Sequence, residues 1–155
     1  MYPTNIRPDI FFVVNTLSWY LVKPRQVHLL ATKHVMKYLK VTIDLRLYYG
    51  IDHDYILYGY TDSYWVGSAI DMKSTSGRCY CFVSTVISWF SKKQSSVALS
   101  TAEAEYIAAC SASFEERWFQ KMISRLFDMD LDTTVNLCEN QSCIKMTNNP
   151  VGYGT

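Results

Sequence analysis

The chain has 155 residues, 49% hydrophobic and 19% charged, enough to bury one sizeable core and far from the composition of a disordered segment. Its formal net charge of +1 provides no global field for a polyanion, so any nucleic-acid binding has to come from local patches. Five cysteines, an odd number without paired C-x-x-C spacing, argue against a disulfide framework and a structural zinc site and for reduced intracellular thiols, in the cytosol or nucleus.

Charge is uneven along the chain: residues 1–60 carry seven Lys+Arg against four Asp+Glu, and the remainder eight against ten. Pro8 and Asp9 mark a helix start, Pro in the first turn and an acid at the positive dipole end. Ile10, Val13, Val14, Leu17 and Leu21 then recur at helical steps, which predicts a helix over residues 9–22, ended by Lys23-Pro24. The apolar stretch from Ile10 to Val22 is broken by Asn15, Thr16 and Ser18, lacks a basic leader and is too short to span a bilayer. A second helix is expected over residues 26–40, with Val27, Leu30, Ala31, Val35, Tyr38 and Leu39 to one side.

The period then changes to two. Leu45, Leu47 and Tyr49 predict a strand ended by Gly50, Asp52-His53-Asp54 a turn, and Ile56 to Thr61 a second strand ending at Asp62. A loop through Gly67 and residues 71–77 leads to expected strands over residues 78–83 and 86–91. Short connections make these antiparallel neighbours. Ser100-Thr101-Ala102-Glu103 matches a capping box, a helix start stabilised by about 1 kcal/mol. Ile107, Cys110, Phe114, Trp118, Met122 and Leu126 follow at helical spacing as its core face, with a possible break near Ser111 and Ser113. Residues 134–138 form a strand reached through that helix, hence parallel to an earlier one. Asn140-Gln141-Ser142 opens a last short helix that reaches Pro150.

The expected fold is α/β: three antiparallel strands, a crossover helix and a parallel fourth strand in one mixed sheet, preceded by a helical hairpin. Residues 1–50 read as one region and residues 51–155 as a second. If the fourth strand pairs with the first, Asp62 and Glu139 lie side by side at neighbouring strand ends, and the crossing helix can aim Glu105 at the same place. Three carboxylates so arranged repel one another unless cations sit between them, so Asp62, Glu105 and Glu139 are the candidate catalytic and magnesium-binding residues.

The blocks Gly59-Tyr60-Thr61-Asp62-Ser63, Lys73-Ser74-Thr75-Ser76-Gly77, Ser88 to Gln94, Val97 to Tyr106 and Asn140-Gln141-Ser142 resemble the ribonuclease H region of copia-type retrotransposon Pol polyproteins. Arg7-Pro8-Asp9-Ile10 through Lys37-Tyr38-Leu39-Lys40 is similar to the end of the reverse transcriptase in the same polyproteins. The resemblance covers nearly the whole chain in the same order. It implies a ribonuclease H-like domain after a reverse transcriptase remnant, and hydrolysis of the RNA strand of an RNA·DNA hybrid with two Mg²⁺ or Mn²⁺ ions. Asp62 would bridge both ions, Glu105 would bind one, and Glu139 stands where the family has Asp. Lys73, Lys92 and Lys93, with Trp65 and Trp89, become candidates for phosphate and sugar contacts on a hybrid held by shape. The hybrid and the remainder of a Pol polyprotein are the implied partners.

Departures accompany the match. The family has an acid at position 64 and a small residue at 66, where this chain has Tyr64 and Val66. Glu at 139 displaces the carboxylate by roughly 1 Å, enough to cost about 100-fold in rate. The resemblance implies a further strand and helix with a fourth metal-binding position beyond Asn149-Pro150, so the domain reads as C-terminally truncated, and a non-catalytic retroelement remnant with weak nucleic-acid binding is the alternative. Glu103 rivals Glu105 but belongs to the capping box. Cys79 and Cys81 read as small core residues, Phe114 and Trp118 as core.

Overall fold

The computed structural model describes residues 2–50, 55–67, 71–131 and 133–149; the expected turn at residues 52–54 lies outside them. Packing divides the chain into two compact units, one ending at Tyr48 and one beginning at Tyr49.

The first unit is helical: α1 (Tyr2–Ile6), α2 (Pro8–Ser18) and α3 (Gln26–Val41). Proline opens α2 and Asp9 lies in its first turn. The Arg25 N–H donates to Nδ1 of His28 at the start of α3, a reciprocal cap that an imidazole supplies in place of the usual Glu. The start of α2 is tied to the end of α3 through polar groups. Arg7 holds both Asp9 oxygens at 2.9 and 2.7 Å and donates to the Thr42 carbonyl and hydroxyl. The Tyr38 hydroxyl closes the circuit on Asp9 at 2.9 Å. A helical stripe of His28, Ala31, Val35 and Leu39 is half-buried, yet Ile10 is the one fully buried apolar side chain among the described residues of this unit. The predicted strand at residues 45–49 does not form. Leu45 and Tyr49 are exposed, the Leu45 N–H turns back to the Thr42 carbonyl, and alternation alone makes no strand where no partner strand adjoins among the described residues.

The second unit is a four-stranded sheet. Strands β1 (Leu57–Tyr64), β2 (Thr75–Phe82) and β3 (Thr85–Lys93) precede α4 (Thr101–Phe127), β4 (Val135–Cys138) and α5 (Gln141–Asn148). The spatial order is β3-β2-β1-β4. The pairs β1–β2 and β2–β3 are antiparallel, and β4 joins β1 in parallel, the mixed sheet of a ribonuclease H-like fold. All three antiparallel strands run past an expected bound. β1 runs through Asp62 to Tyr64 because Asp62, Ser63 and Tyr64 pair with Gly77, Ser76 and Thr75, residues whose Ser, Thr and Gly composition reads as loop.

Helix α4 covers one face of the sheet and is continuous. The Ser111 and Ser113 hydroxyls donate back to the Ala108 and Ala109 carbonyls and do not break it. Its buried residues are Ala104, Glu105, Ala108, Ala112, Glu116, Phe119 and Ile123, which overturns the expected apolar face: Phe114 and Trp118 are 78% and 58% exposed. The alanines let the helix approach too closely for large side chains at its N-terminal half. Leu57, Tyr80, Ala112, Phe119 and Ile123 form the core, with Phe82, Ile87 and Leu131 against it. The buried Tyr80 hydroxyl donates to the Ala112 carbonyl at 2.9 Å. Arg78 grips both oxygens of Glu115 at 2.7 and 2.8 Å while its guanidinium lies 4.3 Å from the Phe90 ring centre.

One core carboxylate is unaccompanied. Glu116 is buried, its Oε1 has no hydrogen-bond partner, and burial pushes its carboxyl above the usual range. That oxygen lies over Gly59, where any Cβ would collide with it and crowd the Tyr80 ring. Glycine at 59 is therefore a matter of space.

Candidate functional site

The sequence folds the start of α4 firmly. Ser100 Oγ accepts the Glu103 N–H at 3.1 Å, and Glu103 Oε2 accepts the Leu99 N–H at 2.7 Å. Glu103 is thereby occupied in capping. Gln94, just after β3, donates from Nε2 to Ser76 Oγ at 2.8 Å and to the Ala104 carbonyl at 2.9 Å, and Trp65 Nε1 donates to the Ala98 carbonyl. These bonds fix the first turns of α4 against the sheet.

Glu105, 9% exposed, is carried by that anchored turn to the end of the β1–β4 pair. Its Oε1 accepts the Ser63 N–H at 3.1 Å, and its Oε2 faces the Cys138 thiol at 3.9 Å. Burial is the largest cause holding its carboxyl above the ordinary range; the Ser63 N–H opposes this, and the neighbouring Asp62 carboxylate adds to it. Asp62 and Glu105 therefore share one local field. A buried carboxyl next to a second carboxylate is a group that a hard cation would hold ionised.

Glu139 takes a different position. Thr61 pairs with Cys138, and the next residue on each chain is Asp62 and Glu139, so the strand ends are adjacent as expected. Its side chain is exposed, as is that of Asp62, but Asp62 is the carboxylate that acts on Glu105. Among the described residues, no group of three or more His, Cys, Asp or Glu side chains is gathered to hold a metal ion. Asn140 acts as the cap of α5, its Oδ1 accepting the Ser142 and Cys143 N–H groups at 3.0 Å. Cys143 is fully buried behind Cys138, and its thiol is pushed up to about 12 by burial first and then by Cys138. No sequence signal marked Cys143 as a neighbour of the site; Ser63 and Gln94 both fall inside the blocks that carry the family resemblance.

The expected nucleic-acid contacts divide between the two faces. Register with Arg78 and Phe90 places Lys92 on the α4 side, while Trp89 and Lys93 project to the other. Lys92 is exposed, Lys93 pairs with Asp71 at 2.9 Å, and Lys73 and Trp89 are half-buried. Val66, where a small residue was expected, adopts φ 51°, a left-handed conformation that strains a β-branched residue. Among the described residues, no helix is long and apolar enough to cross a membrane.

A Pol polyprotein from transposon TNT 1-94 of Nicotiana tabacum is 38% identical over 143 residues, 92% of this chain and 11% of that protein. The chain belongs to the Pol polyproteins of copia-type retrotransposons. The Pol polyprotein from transposon RE1 of Arabidopsis thaliana matches 94% of the copia-type chain at 33% identity, covering 10% of its own length. The chain thus spans about a tenth of these curated relatives. The secreted RxLR effector protein 161 of Plasmopara viticola is also similar, 38% identical over 72% of this copia-type chain and 79% of its own. No family model and no solved structure matches.

Proposed function

We propose that residues 51–155 are a ribonuclease H-like domain of a copia-type Pol polyprotein, derived from a two-metal endonuclease that cleaves RNA in RNA·DNA hybrids and weakened in its chemistry. The observation that carries this reading is Glu105, delivered by the crossover helix to the end of the β1–β4 pair beside Asp62. The pair fits a hard divalent cation by donor chemistry: two carboxylates whose mutual repulsion such an ion would relieve. Divalent cations bound there would neutralise phosphodiester charge and activate water for attack.

The chain's own groups have separate tasks. Asp62 and Glu105 present oxygens, the Ser63 N–H orients Glu105, and the Gln94 bonds keep the helix turn from drifting. Displacement of about 1 Å at such a centre costs on the order of 100-fold. Glu139 would complete the set only by turning inward, which is the source of the weakened chemistry. Lys92, on the same face as α4, is the candidate for a phosphate contact.

The exposed Glu139 and the lack of a gathered three-ligand group among the described residues favour a second reading, a non-catalytic remnant with weak nucleic-acid binding. Purified chain incubated with a labelled RNA·DNA hybrid and Mg²⁺ or Mn²⁺ separates the two. Slow metal-dependent cleavage of the RNA strand, lost in Asp62→Asn and raised roughly 10- to 100-fold in Glu139→Asp, supports the enzyme. A folded chain that binds the hybrid and never cuts it supports the remnant.

A further inference from the structure

Cys79 and Cys81 were expected in the core, and the structure places them elsewhere. Tyr80 between them points to α4 and is fully buried, so the two cysteines project from the opposite face of β2. Both are half-buried. Within the sheet unit, the packing of described elements puts α4 against β1, β2 and β4, and α5 against α4 and β4. The cross-strand partners of Cys79 are Tyr60 and Trp89, and those of Cys81 are Tyr58 and Val86. Burial first, and then the neighbouring Cys81, push the Cys79 thiol above its ordinary value, and burial does the same to Cys81, so a bound cation has to displace both protons.

What two thiols at this spacing can do is set by distance. Residues two apart on a strand have Cα atoms about 6.4–6.8 Å apart with parallel side chains. A disulfide prefers Cα atoms near 5.5–6 Å and Cβ atoms about 3.5–4.5 Å apart. The strand would have to buckle to close one, and the regular β1–β2 register through Tyr58 and Tyr60 resists buckling. A linear sulfur–metal–sulfur bridge made of two bonds of about 2.3 Å spans roughly 4.6 Å, which side-chain rotation alone can reach. Among the described residues no third His, Cys, Asp or Glu completes a metal group here. Tetrahedral zinc is therefore unsuited, whereas a soft monovalent ion content with two thiolates is suited.

We propose that Cys79 and Cys81 form a two-thiolate site for a soft monovalent cation of the Cu(I) type, on the face of the sheet opposite α4. Binding exchanges both thiol protons for one cation, leaving an M(SR)₂⁻ unit and two released protons. Tyr60 and Trp89 flank Cys79, and Tyr58 and Val86 flank Cys81, on the neighbouring strands. The site shares no residue with the carboxylate pair and stands whether or not the hybrid is cleaved.

The test is anaerobic titration of the fully reduced chain with Cu(I) against a chromophoric Cu(I) chelator. One equivalent withheld from the chelator, lost in Cys79→Ser and equally in Cys81→Ser but kept in Cys138→Ser, is the expected result. Retention of that equivalent in both Cys79→Ser and Cys81→Ser, or its loss in Cys138→Ser alone, overturns the proposal. Alkylation of the unaltered chain, mapped by mass spectrometry, gives an answer that does not depend on how the variants fold. Cu(I) should protect Cys79 and Cys81 from iodoacetamide and leave exposed Cys110 reactive; equal labelling of the pair with and without Cu(I) overturns the site.

Discussion

The two units are held together by opposite kinds of interaction. In the helical unit the link between α2 and α3 is a polar circuit of Arg7, Asp9, Tyr38 and Thr42, and Ile10 is the one fully buried apolar residue described there. In the sheet unit the helix is docked by an aromatic and aliphatic core around Tyr80 and Phe119. Exposed polar links are individually weak and screened by salt, whereas buried apolar contacts cost whole kilocalories to remove. Amphipathic periodicity is thus no guarantee of a core. Within their own units, equally clear helical patterns give very different amounts of burial, because α4 packs on the strands of its unit while α2 and α3 have each other.

The largest expected effect is from Phe119→Ala, which should destabilise the sheet unit by about 3–5 kcal/mol. Hydrogen exchange resolved by segment should show protection lost across β1, β2 and α4 and kept in α2 and α3; equal loss in α2 and α3 would break the contrast between the units. Next comes Glu116→Met. Burial raises the Glu116 carboxyl, so its stability contribution is complete below the ordinary carboxylate range and is lost as pH rises through the raised value. Glu105 adds a change of the same sign. Replacing Glu116 by Met should therefore add about 1–3 kcal/mol at neutral pH and almost nothing in acid, measured by urea denaturation at both pH values.

Val66→Gly should follow with a gain of about 1 kcal/mol from relief of the left-handed conformation, read from the same urea midpoints. The smallest effect concerns Asp9, whose carboxyl is held below the usual range, chiefly by its hydrogen bond from Arg7. Its contribution is present above the ordinary value and is lost as pH falls through the lowered one. The two units should therefore respond to acid in opposite directions, the helical unit losing protection where the sheet unit gains it. Parallel responses would show the polar circuit to be idle.

Sequence pattern located what depends on neighbours in the chain and missed what depends on neighbours in space. The helix over residues 26–40, the Ser100 cap and the parallel fourth strand were legible because capping, period and crossover rules are local or topological. The strand at 45–49 was misread because alternation says nothing of whether a partner exists. β1 was cut short at Asp62 because its continuation is written in β2, in Ser and Gly residues that look like loop. The side of α4 that faces the sheet was misjudged for a related reason: large apolar residues gave the stronger pattern, while alanines and Glu116 made the contact. The nearness of Asp62 and Glu105 was legible from the order of strand and crossover helix. The turning of Glu139 toward solvent is a matter of rotamer and register, which no spacing records.

The contact between Gly59 and Glu116 also limits how this sequence can drift. A side chain at 59 meets the tip of Glu116, so a change at 59 obliges that buried carboxylate to swing aside, whereas shortening position 116 first removes the conflict. The reverse order is the less favourable one. Copies that accumulate mutations freely should therefore show altered residues at 116 beside an intact Gly59, and seldom the opposite, which makes the pair a marker of the order in which substitutions arose.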